Sequence, residues 1–341
     1  IAKVDGAASS QSFEVVRSKD ANADFTEQQT LKFYNDREKA KVGVYKVDRE
    51  TGKYLAGAVF NLYTADDIYS VDGKLLFAAG ELVATSPETG ADGYTYFDCD
   101  VPIRGEYYGS SIRKDATTNS GNYIVKELRA PLGYYVNEEP MEVTFTYDGQ
   151  AIVVLDNTCA NKPTEMWVSK RDLTNDEELP GATLAIKDTD GNTVTTWVSA
   201  DEPHRVTGLH FGESYTLTEI RAADGYAMAD DITFRLIQKT DEGGNPLEEC
   251  EVYYLTTKNI LFWKWDDWKL LDDVTVIMQD DITKVQISKK DLTTNEELPG
   301  AELTLTDEKG NEIDRWVSTD APHYMERLPA GKYTLTEVTA P

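Results

Sequence analysis

A glutamate interrupts the apolar side of three tyrosine-led stretches: YIVKELRAPLGYY from Tyr123, YTLTEIRAADGY from Tyr215 and YTLTEVTAP from Tyr333. Side chains along a strand alternate between faces with period two. Tyr123, Val125 and Glu127 therefore share one face, as do Tyr215, Leu217 and Glu219, and Tyr333, Leu335 and Glu337. The same parity puts a lysine among apolar residues three times: Lys46 with Val42 and Val44, Lys170 with Met166 and Val168, and Lys289 with Val285 and Ile287. A carboxamide or carboxyl recurs in the same way. Asn157 falls in line with Val153 and Leu155, Asp280 with Val276 and Met278, and Asn35 with Leu31 and Phe33. Asp156 adjoins Asn157, and the face argument selects Asn157.

An isolated buried charge is very costly, so three such residues in one repeat must meet. A buried salt bridge, or lysines snorkelling at strand ends, would satisfy a single repeat. Recurrence at matching separations, 157 − 46 = 111 and 280 − 170 = 110, points instead to an intramolecular amide. Burial disfavours an ammonium and favours the neutral, nucleophilic amine. A buried carboxylic acid can polarise the acceptor carbonyl and carry protons from the amine to the leaving group. Glu127 and Glu219 are the expected proton shuttles; Asn157 would release ammonia and Asp280 water. The event occurs once per domain, which is self-processing and not enzymatic turnover.

The elements that must position these residues repeat along the chain. SKRDLTNDEELPGATLAIKDTDGNTVTTWVSADEPH from Ser169 matches SKKDLTTNEELPGAELTLTDEKGNEIDRWVSTDAPH from Ser288, and a more distant copy starts with VYKVDRETGKYLAGAVFNLYTAD at Val44. Taking Lys46, Lys170 and Lys289 as equivalent, the period is 170 − 46 = 124 and then 289 − 170 = 119 residues, which is the size of a domain. Short alternating stretches punctuated by LPGA, TDGN, DEKGN and AADGY predict all-β, immunoglobulin-like or prealbumin-like sandwiches in an elongated tandem array. The expected boundaries are 39–162, 163–283 with a Trp-rich insertion at 238–273, and 284–341 as an unfinished third repeat. Residues 1–38 look like the closing strands of a preceding repeat. One molecule's 12–36 completing another's 284–341 by strand donation is a further expectation.

Composition narrows the class. A net charge of −27, with 61 acidic residues against 34 basic ones, argues against a nucleic-acid partner. No apolar run reaches the ~20 residues of a membrane span, and IAKVDGAASS lacks the apolar core of a signal peptide. Cys99, Cys159 and Cys250 show neither metal-type nor paired spacing. No EF-hand, P-loop, HExxH or GxSxG pattern occurs, so neither a metal nor a cofactor is expected.

These stretches resemble the Cna B-type, prealbumin-like isopeptide domains of Gram-positive surface adhesins and sortase-assembled pilins. The family's lysine–acid opening with its L-x-G-A step appears as YKVDRETGKYLAGAVF, SKRDLTNDEELPGATL and SKKDLTTNEELPGAEL. Its Y-x-L-x-E-x-x-A-P-x-G-Y box appears in YIVKELRAPLGY, and YTLTEIRAADGY departs from it at Ala223. The resemblance implies a Lys46–Asn157 bond catalysed by Glu127 and a Lys170–Asp280 bond catalysed by Glu219. It implies that Lys289 and Glu337 await an acceptor and that Asn35 is an acceptor without its lysine. A structural stalk on the bacterial cell surface or wall follows, with neighbouring repeats as its partners. The alternative is a ligand-binding adhesin, in which Trp263, Trp265 and Trp268 of the insertion grip a glycan or a host matrix protein.

Overall fold

The structure, a computed structural model, describes residues 2–3, 35–36, 39–69, 74–99, 101–102, 120–146, 152–260 and 263–341. Every regular element among the described residues is a strand. The chain divides into two compact units, Ile1–Pro163 and Thr164–Pro341. Most of 12–36 and of the 101–121 insertion lies outside the described residues; Asn35–Asp36 pairs antiparallel with Ala2–Lys3.

In the first unit, the opening strand Lys39–Asp48 runs parallel to the closing strand Ile152–Asn161 and antiparallel to Tyr94–Tyr96. The facing sheet orders Met141–Thr146, the glutamate strand Ser120–Arg129, Val59–Thr64 and Leu82–Thr85. Alternation is what builds the core between the sheets. Val42 and Val44 of the opening strand meet Phe60, Leu62, Tyr123, Val125 and Val143 in one fully buried cluster. Lys46 continues that inward row and is itself 0% exposed.

The second repeat uses the same plan. Its opening strand Glu165–Asp172 lies between His204–Thr207 and the closing strand Thr275–Asp280, again parallel to the latter. The facing sheet has six strands in the order Thr193–Val198, Thr183–Lys187, the glutamate strand Ser214–Arg221, Ile232–Thr240, Pro246–Ile260 and Trp263–Leu270. The insertion is thus a hairpin that extends this sheet at its edge. The segment 284–341 contributes Lys284–Ile287 paired with His323–Glu326, and the sheet Glu312–Val317, Glu302–Asp307, Tyr333–Thr339. The small-residue step needs glycine each time, because Gly57, Gly181 and Gly300 sit at φ of 93°, 97° and 100°, in the left-handed region that a Cβ disfavours.

Candidate bond-forming site

In both units the opening and closing strands carry the reacting candidates side by side, and the glutamate strand of the opposite sheet faces them. In repeat two, Lys170 Nζ hydrogen-bonds Asp280 Oδ1 and lies 3.1 Å from Glu219 Oε1. All three side chains are buried. Burial, opposed by the Lys170 ammonium and reinforced by the Glu219 charge, pushes the Asp280 carboxyl up to about 6. Asp280 Oδ2 and Glu219 Oε1 are both buried without a hydrogen-bond partner. A proton on Asp280 would provide the missing bond, in keeping with the direction of that shift.

Repeat one differs from the sequence expectation in its acceptor. Lys46 Nζ hydrogen-bonds Asn161 Oδ1, not Asn157, and lies 3.1 Å from Glu127 Oε1. Asn161 Nδ2 donates to both Glu127 oxygens, at 3.0 and 2.9 Å. Parity alone could not separate the two asparagines, since 157, 159 and 161 share a face. The parallel register decides: Lys46 stands opposite Cys159 and Asp48 opposite Asn161, just as Lys170 stands opposite Met278 and Asp172 opposite Asp280. The lysine leans two residues along the strand, towards its acceptor. Asn157 stands opposite Val44, about 13 Å further back along the strand, and its Nδ2 is buried without a partner. A signal for Asn161 was present in the sequence. It precedes Thr164 by three residues, as Asp280 precedes Thr283, and the two threonines make the same contact, each donating its hydroxyl to a following repeat carbonyl (Leu209 and Leu328, both at 2.7 Å).

Sequence reasoning also missed what holds each glutamate. The backbone N–H of Asn137 donates to Glu127 Oε2 at 2.7 Å, and that of Ala229 donates to Glu219 Oε2 at 2.8 Å. Cys159 was noted only for its spacing, yet its thiol accepts from Lys46 Nζ at 3.0 Å, and burial pushes its pKa up. In the third repeat Lys289 lies 3.0 Å from Glu337 with both side chains partly exposed; no acceptor strand pairs with Lys284–Ile287 among the described residues.

The Trp-rich insertion presents itself differently. Trp268 lies under the Arg235 guanidinium, 4.3 Å from its ring centroid, and Tyr253 is also within 5.7 Å of that cation. The side chains of Trp263 and Trp265 lie outside the described residues. His204 and His323 stack on Trp197 and Trp316 at 4.4 and 4.3 Å. Among the described residues no group of three or more His, Cys, Asp or Glu is arranged to hold a metal, and no helix is long and apolar enough to cross a membrane.

A family model described as the SpaA prealbumin-like fold domain matches residues 40–158, 164–245 and 283–341. Solved structures similar to this chain include the Bacillus anthracis TIE protein, at 21% identity over 89% of this chain and 46% of that one, with a TM-score of 0.37. A streptococcal ancillary pilin matches at 19% identity over 73% of this chain and 64% of that one, with a TM-score of 0.24. The shaft pilin SpaA from Lactobacillus rhamnosus GG matches at 15% identity over 73% of this chain and 98% of that one, with a TM-score of 0.27. The chain thus spans less than half the length of the TIE protein. No curated protein matches.

Proposed function

Because the chain belongs to the SpaA prealbumin-like fold domain family, we propose that it is a stalk segment of a bacterial cell-surface adhesin or pilin, and that repeats one and two each seal themselves with one intramolecular amide. The observation that carries this reading is the buried trio in each repeat: an amine, a carboxyl or carboxamide acceptor and a glutamate within 3.1 Å of the amine, joining first strand to last.

In repeat one, Lys46 Nζ attacks Asn161 Cγ. The Nζ–Cγ bond forms and the Cγ–Nδ2 bond breaks. Glu127, in reach of both the attacking and the leaving nitrogen, takes the proton that the amine sheds and delivers one to Nδ2, which departs as ammonia. In repeat two, Lys170 attacks Asp280 Cγ and the acid's hydroxyl departs as water through Glu219. A carboxylate is a poor acceptor for an amine, so the raised Asp280 pKa favours the reactive acid form. Both sites are buried, which strengthens the hydrogen bonds that act on the reacting carbonyl and limits competition from bulk water.

Intact mass of the purified chain tests the reading. The expected mass is lower than that of the sequence by one ammonia and one water, and Glu127→Ala with Glu219→Ala restores it. Asn161→Ala alone should abolish the ammonia loss, whereas Asn157→Ala should leave it in place. An unshifted parent mass would sink the proposal.

A further inference from the structure

Two residues beyond each lysine, on the same inward row, stands an aspartate that the trio does not use. Asp48 and Asp172 are the register partners of the acceptors Asn161 and Asp280, and they are 8% and 3% exposed. Each splits its carboxylate between two tasks. Oδ1 accepts backbone N–H groups of the following turn, from Glu50 and Thr51 at 2.8 Å in repeat one and from Thr174 at 2.7 Å in repeat two. Oδ2 accepts a tyrosine hydroxyl, Tyr134 at 2.7 Å and Tyr226 at 2.6 Å.

Each tyrosine sits seven residues after the glutamate and three before the backbone N–H that holds that glutamate. The same loop is zipped to the chain just past the acceptor. Tyr135 N donates to Lys162 O at 3.0 Å and Ala227 N to Asp281 O at 2.9 Å, and Tyr134 and Tyr226 bridge Pro163 and Ile282. One loop therefore contacts the glutamate directly and is tied to the strands that carry the lysine and the acceptor. It leaves the glutamate strand, is pinned by the tyrosine to the lysine strand, borders the acceptor, and returns an N–H to the glutamate. Repeat two adds a contact from its successor. Arg327 donates from Nη2 to Asp172 Oδ2 at 3.1 Å and from Nη1 to the Tyr226 hydroxyl, with its guanidinium 4.9 Å from the Tyr226 ring centroid.

We propose that the Asp48–Tyr134 and Asp172–Tyr226 pairs are positioning latches for amide formation, setting the glutamate and the acceptor against the lysine without touching the reacting atoms. The proposal rests on the self-sealing reading above. It explains why an aspartate follows each lysine at the same interval and why a tyrosine closes each glutamate-bearing segment. The hydroxyl and the carboxylate are needed, not merely the ring, since the ring alone could pack in the same place.

The test follows mass loss over time in the full chain freshly released from cell-free synthesis, at 10 °C or so, comparing the parent with Tyr226→Phe and Tyr134→Phe. Circular dichroism in the Lys46→Ala, Lys170→Ala background, which cannot react, establishes that each Phe variant is as folded as its parent under those conditions. Tyr226→Phe should slow water loss about tenfold or more, a barrier change of the size of one well-placed hydrogen bond, while ammonia loss from repeat one keeps the parent's rate. Tyr134→Phe should show the converse. Asp172→Asn, which keeps an acceptor for the tyrosine hydroxyl, should retain more of the rate than Asp172→Ala. Unchanged rates in the folded Phe variants, or slowing that only tracks the unfolded fraction, would overturn the latch and leave the self-sealing reading intact. A parent chain that loses no mass would overturn both.

Discussion

Asn161 and Asp280 occupy the same place in their repeats and differ by one atom, which changes how each site responds to pH. In repeat one the reacting set of amine, carboxamide and carboxylic acid has the same proton count as an ammonium beside a single carboxylate. In repeat two the set of amine and two carboxylic acids has the proton count of an ammonium, one carboxylate and one further acid. That extra proton belongs to the pair of carboxyls, and burial holds Asp280 near 6. Above that pH the site loses it. The rate of water loss should therefore fall about tenfold per unit as pH rises past about 6, while the rate of ammonia loss in repeat one lacks that limb. Mass-resolved time courses at pH 5, 6, 7 and 8 report both rates in one sample. Parallel profiles for the two losses would refute the assignment of the proton. At this scale the sequence was informative about kinds of residue: Lys46, Lys170, Glu127, Glu219 and Asp280 were legible from parity alone. It misled on Asn157 because parity is blind to shifts of two or four residues, and only strand register distinguishes them.

The pairing of first strand with last gives such a bond its leverage. Lys46 and Asn161 are 115 residues apart, and Lys170 and Asp280 are 110 apart. By the chain-entropy account used for disulfides, closing a loop of that length removes on the order of 4–5 kcal/mol of denatured-state freedom. The parallel ladders that bring the partners together are Ile152–Asn161 on Lys39–Asp48 and Thr275–Asp280 on Glu165–Asp172. These ladders set the partners in register without an amide, so the proposed bond would secure a fold that the strands already define. Glu219→Ala should fold, remain unsealed in repeat two and lose thermal stability there by about 10–20 °C, as read by scanning calorimetry. An unsealed variant that melts with the parent would contradict the loop-closure account. Strand existence was readable from alternation, and the three glycine steps from their L-x-G-A motif. The edge position of the Trp-rich hairpin was not, because Pro246–Ile260 and Trp263–Leu270 carry aromatic and charged residues on both faces, which leaves the neighbour unspecified. The aspartate–tyrosine latches were likewise hidden, since a turn-capping aspartate and a box tyrosine each have an adequate local explanation.

For the whole molecule, the consequence of the proposed sealing is mechanical. Tension entering repeat two at Glu165 passes along the opening strand to Lys170, crosses the proposed amide to Asp280 and leaves towards Thr283. Everything between Lys170 and Asp280 is bypassed. Without the bond, the same pull shears the parallel ladder between Glu165–Asp172 and Thr275–Asp280, where six residue pairs are in register, and then unravels the 110 residues behind it. At about 3.3–3.6 Å of contour per residue, each unsealed repeat hides roughly 350–400 Å of extension. Pulling the parent chain by its ends in a force spectrometer should therefore give no step of that length from repeat one or repeat two. Glu219→Ala should release one such step, and Glu127→Ala with Glu219→Ala two. The segment 284–341, where Lys289 pairs with Glu337 and no acceptor strand lies beside Lys284–Ile287 among the described residues, should extend in the parent at low force and serves as the internal marker that a single molecule is being stretched. Parent traces that contain the long steps alongside this marker would show that load is carried by the hydrogen-bonded ladders, and the proposed stalk role would then have to rest on something other than covalent closure.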